Sequence, residues 1–282
     1  MHGRNIGMVF ADCGVKTRMQ VMQKALFFDI DGTLVSFVTH RIPDSAVQAL
    51  TRAKELGHKL FIATGRPRCI INNLGQIEHL IDGYVTTNGA YCFAGNEVIR
   101  QLQFSPADTE TILQDAKKKR YPTIIVNDDR LRVIHNNSMV QKIFVEQLNI
   151  RNLDYSAPLE EVLRKPILQI TSFIGRIREK RLSRLLSETT IGRWHPSFID
   201  FTPEGADKGS GILAMAEYFG ISREDTIAFG DGGNDIPMLR AAGIGVAMGN
   251  AAEPTRTAAD YITTHIDEDG IKNAFTRLGI TD

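Results

Sequence analysis

The segment Lys24-Ala25-Leu26-Phe27-Phe28-Asp29-Ile30-Asp31-Gly32-Thr33-Leu34 constrains this chain more than any other stretch. Its apolar run reads as a strand buried on both faces, the pattern of a parallel sheet. Gly32 marks the turn that ends the strand. Asp29 and Asp31 are thereby delivered to the carboxyl end of a buried strand, where open α/β sheets bind their ligands. Two carboxylates this close are costly to bury unless a cation compensates them. The segment therefore points to a divalent metal and a phosphate-bearing substrate.

The surrounding pattern extends this reading. From Gln23 to about Asp82, strand and helix alternate: Leu26–Ile30, a helix opened by Pro43-Asp44-Ser45 and running to Leu56, Lys59–Ala63, a helical Arg68–Gly75, and Gly83–Thr87. This is the βαβαβ rhythm of a doubly wound parallel sheet. The rhythm then changes to hairpins about Ala94-Gly95-Asn96 and Asn127-Asp128-Asp129. These are mixed with helices at Ala107–Lys119, Val140–Leu148 and Glu179–Glu188, and with strands at Ile167–Phe173 and Ser197–Phe201. The first rhythm returns with a helix at Lys208–Phe219, a strand at Thr226–Phe229, a helix at Asp235–Ala242 and short strands at Gly245–Met248 and Tyr261–Ile262. The expected fold class is α/β, with an α+β unit inserted into a Rossmann-like parallel-sheet domain. Residues 1–22 lack periodicity, and a start at Met22 would begin the fold cleanly; they are expected to be an extension, disordered or not native to the fold.

Charge narrows the partners. Lys plus Arg and Asp plus Glu are both 33, a formal net charge of zero, which argues against a large footprint for nucleic acid or an anionic membrane surface. No apolar stretch is long enough to span a bilayer, and the N-terminus makes a poor signal peptide. Cys13, Cys69 and Cys92 have no metal-ligand spacing and read as thiols of a reducing, cytoplasmic compartment. A monomer or homodimer is expected.

Four elements fall just after strands or at helix starts: Asp29/Asp31, Thr64-Gly65-Arg66, Lys208-Gly209, and Gly230-Asp231-Gly232-Gly233-Asn234-Asp235. Each has a bland reading. Asp-x-Asp occurs by chance and in metal-dependent glycosyltransferases, a lone lysine is ordinarily a solvated charge, and Asp235 reads equally as a helix cap. Their order, with apolar strands ahead of three of them, is far more specific.

In these elements the chain resembles the haloacid dehalogenase superfamily of phosphohydrolases, and more narrowly its Cof-type subfamily IIB. Thr87-Asn88-Gly89-Ala90, Ile227-Ala228-Phe229, Pro237-Met238-Leu239, Gly245-Val246-Ala247-Met248-Gly249-Asn250-Ala251 and Ala259-Asp260 extend the likeness from about Lys24 to the end. The resemblance implies a core domain of residues 23–82 and 201–282, with an inserted C2B-type cap of residues 83–200. It implies Asp29 as nucleophile, Asp31 as general acid and then base, and phosphate binding by Thr64 and Gly65. Lys208 would neutralise Asp29 and the transferring group. A Mg²⁺ site would be built from the Asp29 carboxylate, the Asp31 carbonyl and Asp231, with Asn234 and Asp235 in support. An acid working near neutrality requires Asp31 to have a raised pKa or a shared proton.

The implied substrates are small phosphate esters, sugar phosphates foremost. A phosphohexomutase of the same architecture and a non-catalytic metabolite-binding regulator are the rival readings. Arg66 and Asn88 are candidate substrate contacts, with a structural salt bridge as the rival for Arg66. His195 beside Trp194 is a candidate for lining the cap pocket, with a packing or surface role as the preferred reading, and Lys117-Lys118-Lys119-Arg120 is read as a solvated helix end.

Overall fold

The computed structural model describes residues 23–150 and 156–281; the expected extension at 1–22 lies outside them. Thirteen strands occur among the described residues. They are β1 (Ala25–Phe28), β2 (Lys59–Ala63), β3 (Gly83–Thr86), β4 (Tyr91–Ala94), β5 (Glu97–Gln101), β6 (Thr123–Val126), β7 (Leu131–Ile134), β8 (Gln169–Ser172), β9 (Thr189–His195), β10 (Phe198–Pro203), β11 (Thr226–Gly230), β12 (Ile244–Ala247) and β13 (Tyr261–Ile262).

They build two sheets. The first has the order β13-β12-β11-β1-β2-β3-β4-β5, parallel from β13 to β3 and closed at one edge by the antiparallel β4–β5 hairpin. β1 lies between β2 and β11 with all four of its residues fully buried, because helices cover both faces. Leu26, Phe28, Ile62 and Phe229 pack with Phe275 of helix Gly270–Leu278 and with helix Asp44–Glu55. On the other face, Phe27, Phe61 and Ala228 pack with Ile212 and Met215 of helix Lys208–Tyr218. Chain order reverses between β2 and β11, so β1 sits at the topological switch point where such sheets open a crevice.

The second sheet, β7-β6-β8-β10-β9, is antiparallel throughout. Alternation assigns its two faces. Ile125, Ile170, Ile199 and Phe201 pack beneath helices Pro106–Lys119 and Arg176–Leu182. Ile124, Val126, Leu131 and Phe173 form a separate cluster joined by Ile70, which belongs to the first unit. The face opposite the helices is therefore turned toward the strand ends of the first sheet.

This topology moves the expected domain boundaries. Residues 83–101 belong to the first sheet: Phe61 pairs with Gly83 in parallel, and β4 and β5 extend that sheet outward. A change from crossover to hairpin is what an antiparallel edge on a parallel sheet looks like, and it does not by itself mark an insertion. The expected restart of the core at residue 201 also falls inside β10, which stays in the second sheet to Pro203. The expected helix at Arg68–Gly75 is only a 3₁₀ turn at Arg68–Ile70, entered through Pro67. Val140–Leu148 is a short α-turn at Ser138–Val140 followed by a π-helical Gln141–Gln147. β9, with Gly192 in its middle, gave no strand signal, since its apolar positions are sparse.

Asp82 ties the entrance of β3 to the start of β2. It accepts from Lys54 Nζ at 2.5 Å, Lys59 Nζ at 3.0 Å and the Leu60 amide at 2.9 Å. Burial works to raise its pKa, but the Lys54 bond, the Leu60 amide and Lys59 outweigh it and hold the carboxyl below its ordinary value. The depressed pKa gives stability that is present above the unfolded value of about 4 and is lost as pH falls through the folded value. Asp82→Asn is expected to cost about 1.5–3 kcal/mol at pH 7. In urea melts, the gap from wild type should close as pH is taken below about 4.

Candidate active site

Asp29 is the first residue past β1, and its amide still donates to Phe229 O of β11 at 3.0 Å, so the ladder fixes where its side chain leaves the sheet. Gly32 follows at φ +87°, where a side chain would be strained and would also collide with the Asp231 carboxylate. Asp231, at the end of β11, accepts from Thr33 Oγ1 at 3.0 Å and from Asn250 Nδ2 at 3.4 Å. Asn250 Nδ2 also donates to Gly32 O at 2.8 Å, which clamps the two acid-bearing loops together.

Lys208 is fully buried. Asp207 caps its helix by accepting from the Ser210 amide at 2.9 Å, and this sets Lys208 as the first helical residue. Its Nζ donates to Asp29 Oδ1 and to Asp235 Oδ1, each at 2.5 Å. Asp235 uses its other oxygen to accept from the Asp231 and Gly232 amides at 2.9 and 2.8 Å, folding the Gly-rich loop over the site. Burial presses on Lys208 to lose its proton, but Asp235 and Asp29 outweigh it and hold the ammonium pKa above the ordinary lysine range. One oxygen from each of Asp29, Asp231 and Asp235 lies within 4.8 Å of the others. Burial, then Asp235, raise Asp29 to about 7 against the pull of Lys208. Burial, Asp235 and Asp29 raise Asp231 to about 8. Three carboxylates share one ammonium, so the site carries surplus negative charge in a dry setting.

Thr64 and Gly65, past the end of β2, line the same cavity as Asp29, Asp31 and Asn234. Asn234 Nδ2 donates to Asn88 Oδ1 at 3.2 Å. Asn88 is buried at φ 51° outside the cavity lining, and its Nδ2 donates to Asp200 Oδ2 of β10 at 3.4 Å. It braces the first unit against the insert. Arg66 lines the cavity and makes a two-pronged ion pair with Asp31: Nε to Oδ2 at 2.7 Å and Nη2 to Oδ1 at 2.6 Å. Its Nη2 also reaches Leu148 O of the insert at 2.9 Å. The Asp31 carboxylate thus faces a guanidinium rather than the other acids.

Sequence reasoning passed over several residues. Thr33 and Asn250 position Asp231, and Asn250 follows a strand end as three of the four motifs do, which is an available signal. Trp194 and His195, which sequence weighs for the pocket but assigns to packing or surface, line the cavity, with His195 also stacked on Phe198 at 4.9 Å. Gln169, Thr171 and Asp200 line it as polar positions alternating with buried Ile170, Ile199 and Phe201. Burial raises Asp200 to about 6, although Thr171, Asn88 and Gln169 bond to its carboxylate and pull it down.

The chain is similar to known proteins along most of its length. The profile of the haloacid dehalogenase-like hydrolase family matches residues 26–275. A solved structure described as the HAD subclass IIB sugar phosphatase BT4131 superposes with a TM-score of 0.86 at 48% identity, covering 92% of this chain and all of that one. The phosphatase BT1666 of Bacteroides thetaiotaomicron gives 0.82 at 32% identity, covering 95% and 99%. The YkrA protein of Bacillus subtilis strain 168 is 31% identical over 260 residues, covering 91% of this chain and 98% of that one. The chain belongs to the haloacid dehalogenase-like hydrolases. Within that superfamily it is a phosphatase of the Cof-type subclass IIB.

The buried Lys208 pair yields a stability test. Lys208→Met leaves Asp29 and Asp235 without their cation and is expected to cost about 3–5 kcal/mol at pH 7.5. Adding Asp235→Asn to that variant should recover part of the loss. A double-mutant cycle followed by denaturant melts measures the coupling.

Proposed function

We propose that this enzyme is a Mg²⁺-dependent phosphatase of small phosphorylated metabolites, sugar phosphates foremost, and that it works by phosphoryl transfer to Asp29. The carrying observation is that Asp29, Lys208, Asp231 and Asp235 converge at the ends of adjacent strands around a crevice. The sugar phosphatase described at 48% identity supports the substrate class.

The donor set fits a hard divalent cation. Buried Asp29 and half-buried Asp231 each offer a carboxylate oxygen within 4.8 Å of the other, a spacing that one cation could bridge. Oxygen ligands of this kind suit Mg²⁺. Both Asp235 oxygens already serve Lys208 and the loop amides, so Asp235 supports the site from behind. When bound, the cation supplies charge that keeps Asp29 ionised and offsets the phosphoryl oxygens.

The chain's own groups divide the work. Asp29 attacks phosphorus, and the bond from phosphorus to the leaving oxygen breaks while Asp31 protonates that oxygen. Water then attacks the aspartyl-phosphate, Asp31 takes its proton, and phosphate departs. Asp31 must open its pair with Arg66 to reach the leaving oxygen, since both its oxygens are engaged there. Thr64 and Gly65 line the crevice where the phosphoryl oxygens would lie. Phosphomonoester hydrolysis requires enhancements of up to ~10²¹, and one general acid supplies only about 10²–10⁴. Fixed charge from Lys208 and exclusion of water by the insert must carry the larger share. A reducing, cytoplasmic setting fits Cys69 and Cys92, neither of which is in a disulfide.

Asp29→Asn is expected to fold, with a thermal melt close to wild type, and to lose turnover by on the order of 10⁴-fold or more. Phosphate release from a panel of sugar phosphates measures this, and retained turnover would remove Asp29 as the nucleophile. EDTA should silence the wild type, and added Mg²⁺ should restore it. An EDTA-treated enzyme that keeps full activity would exclude the cation from the reaction.

A further inference from the structure

The cavity that begins at Asp29 continues to the second sheet, with a volume of about 580 Å³. Its walls there are largely apolar: Ile124, Val126, Leu131, Phe144 and Phe198. Set into this surface are Gln169, Thr171 and Asp200, 4%, 3% and 7% exposed. Strand alternation puts all three on one face of β8 and β10, and Asp200 pairs with Thr171 across the ladder. Polar groups so deeply buried are costly unless they are matched.

Their hydrogen bonds run in one direction. Gln169 Nε2 donates to Thr171 Oγ1 at 3.3 Å, and Thr171 Oγ1 donates to Asp200 Oδ1 at 2.5 Å. Asp200 Oδ2 receives the long bond from Asn88 at 3.4 Å. Gln169 Oε1 receives none, although it is buried. With the Gln169 amide nitrogen turned to its neighbours, what remains for a ligand is acceptor capacity on Gln169 Oε1 and Asp200. Among the described residues that line the cavity, the one arginine, Arg66, sits against Asp31, and no lysine is present. Burial lowers the pKa of His195 and so favours its neutral form, and Glu146 adds a further acid.

We propose that Gln169, Thr171 and Asp200 form the subsite that reads the leaving group, and that it takes a neutral, hydroxyl-rich end and rejects a second anion. The assignment rests on the phosphatase reading above and adds a selection rule to it. A polyol brings hydroxyl donors to Gln169 Oε1 and Asp200 while its C–H faces lie against the apolar walls. A second phosphate or a carboxylate brings acceptors and negative charge to a place that already holds a carboxylate. Sites built to bond a hydroxyl discriminate strongly against analogues that lack it, because their own buried groups are then left unmatched.

The test uses the purified full-length chain with Mg²⁺ and compares kcat/KM within each variant. The substrates are glucose 6-phosphate, its 2-, 3- and 4-deoxy analogues, 6-phosphogluconate, fructose 1,6-bisphosphate, and p-nitrophenyl phosphate as a probe without hydroxyls. For the wild type, glucose 6-phosphate is expected to exceed both doubly anionic substrates by on the order of 10–100-fold, and at least one deoxy analogue by about 10-fold. Asp200→Asn should shrink the first ratio and Gln169→Leu the second. Should Asp200→Asn fail to fold by circular dichroism, the wild-type ratios and Gln169→Leu still decide the matter. Doubly anionic substrates equal to or better than glucose 6-phosphate in the wild type would overturn the proposal. So would variants that change every substrate by the same factor, which is the mark of a merely structural role. Failure of the phosphatase reading looks different: no phosphate is released from any compound, p-nitrophenyl phosphate included.

Discussion

A buried ammonium between two carboxylates organises this molecule. Lys208 reaches Asp29 from a helix on one face of the first sheet, and Asp235 reaches Lys208 from the loop after β11. Neither acid is tolerable in so dry a place without that cation, and the lysine is equally dependent on them. The result is a fixed electrostatic frame with surplus negative charge at the mouth of β1. Asp235 relays it to the backbone through the Asp231 and Gly232 amides, and Thr33 and Asn250 hold Asp231 in turn. Charge that is already arranged before substrate arrives need not reorganise during the reaction, which is where an enzyme gains most over water.

The two sheets divide the labour. The parallel sheet places Asp29, Thr64 and Asp231 at the ends of β1, β2 and β11, by the switch point where chain order reverses. The antiparallel sheet supplies the far wall of the cavity. Two side chains join these halves without belonging to the reaction centre proper. Asn88 spans from Asn234 to Asp200, and Arg66 spans from Asp31 to the Leu148 carbonyl. The cavity is thus defined by a seam, and residues from both units are needed to describe either of its ends.

Local signals explain what could be read without coordinates. Leu26-Phe27-Phe28-Asp29 and Ile227-Ala228-Phe229 are continuous apolar runs, and such runs identify parallel strands whatever surrounds them. The acids at their ends followed directly. Domain limits are harder to read, because the β4–β5 hairpin has the same local chemistry whether it edges one sheet or begins another; the pairing of β4 with β3, and of β3 with β2, decides. The far wall was harder still. Gln169, Thr171 and Asp200 are ordinary strand residues in sequence, and their meaning arises from which face of a distant sheet they occupy. Arg66 illustrates the opposite difficulty: its motif was plain, but its partner could only be found in space.

The route by which the chain returns from the second sheet has its own consequence. β10 ends at Pro203, and Lys208 begins its helix after a connection of a few residues. That connection is itself pinned: Arg100 donates to Gly205 O at 2.7 Å, and the Ala206 amide donates to Pro203 O at 3.0 Å. Little chain therefore separates the cavity wall on β10 from Lys208 and its contact with Asp29. Exchange of the insert for another, in evolution or by engineering, is therefore a splice with a fixed downstream register. New walls can be grafted only if the final strand hands over to Asp207 at the same height and angle.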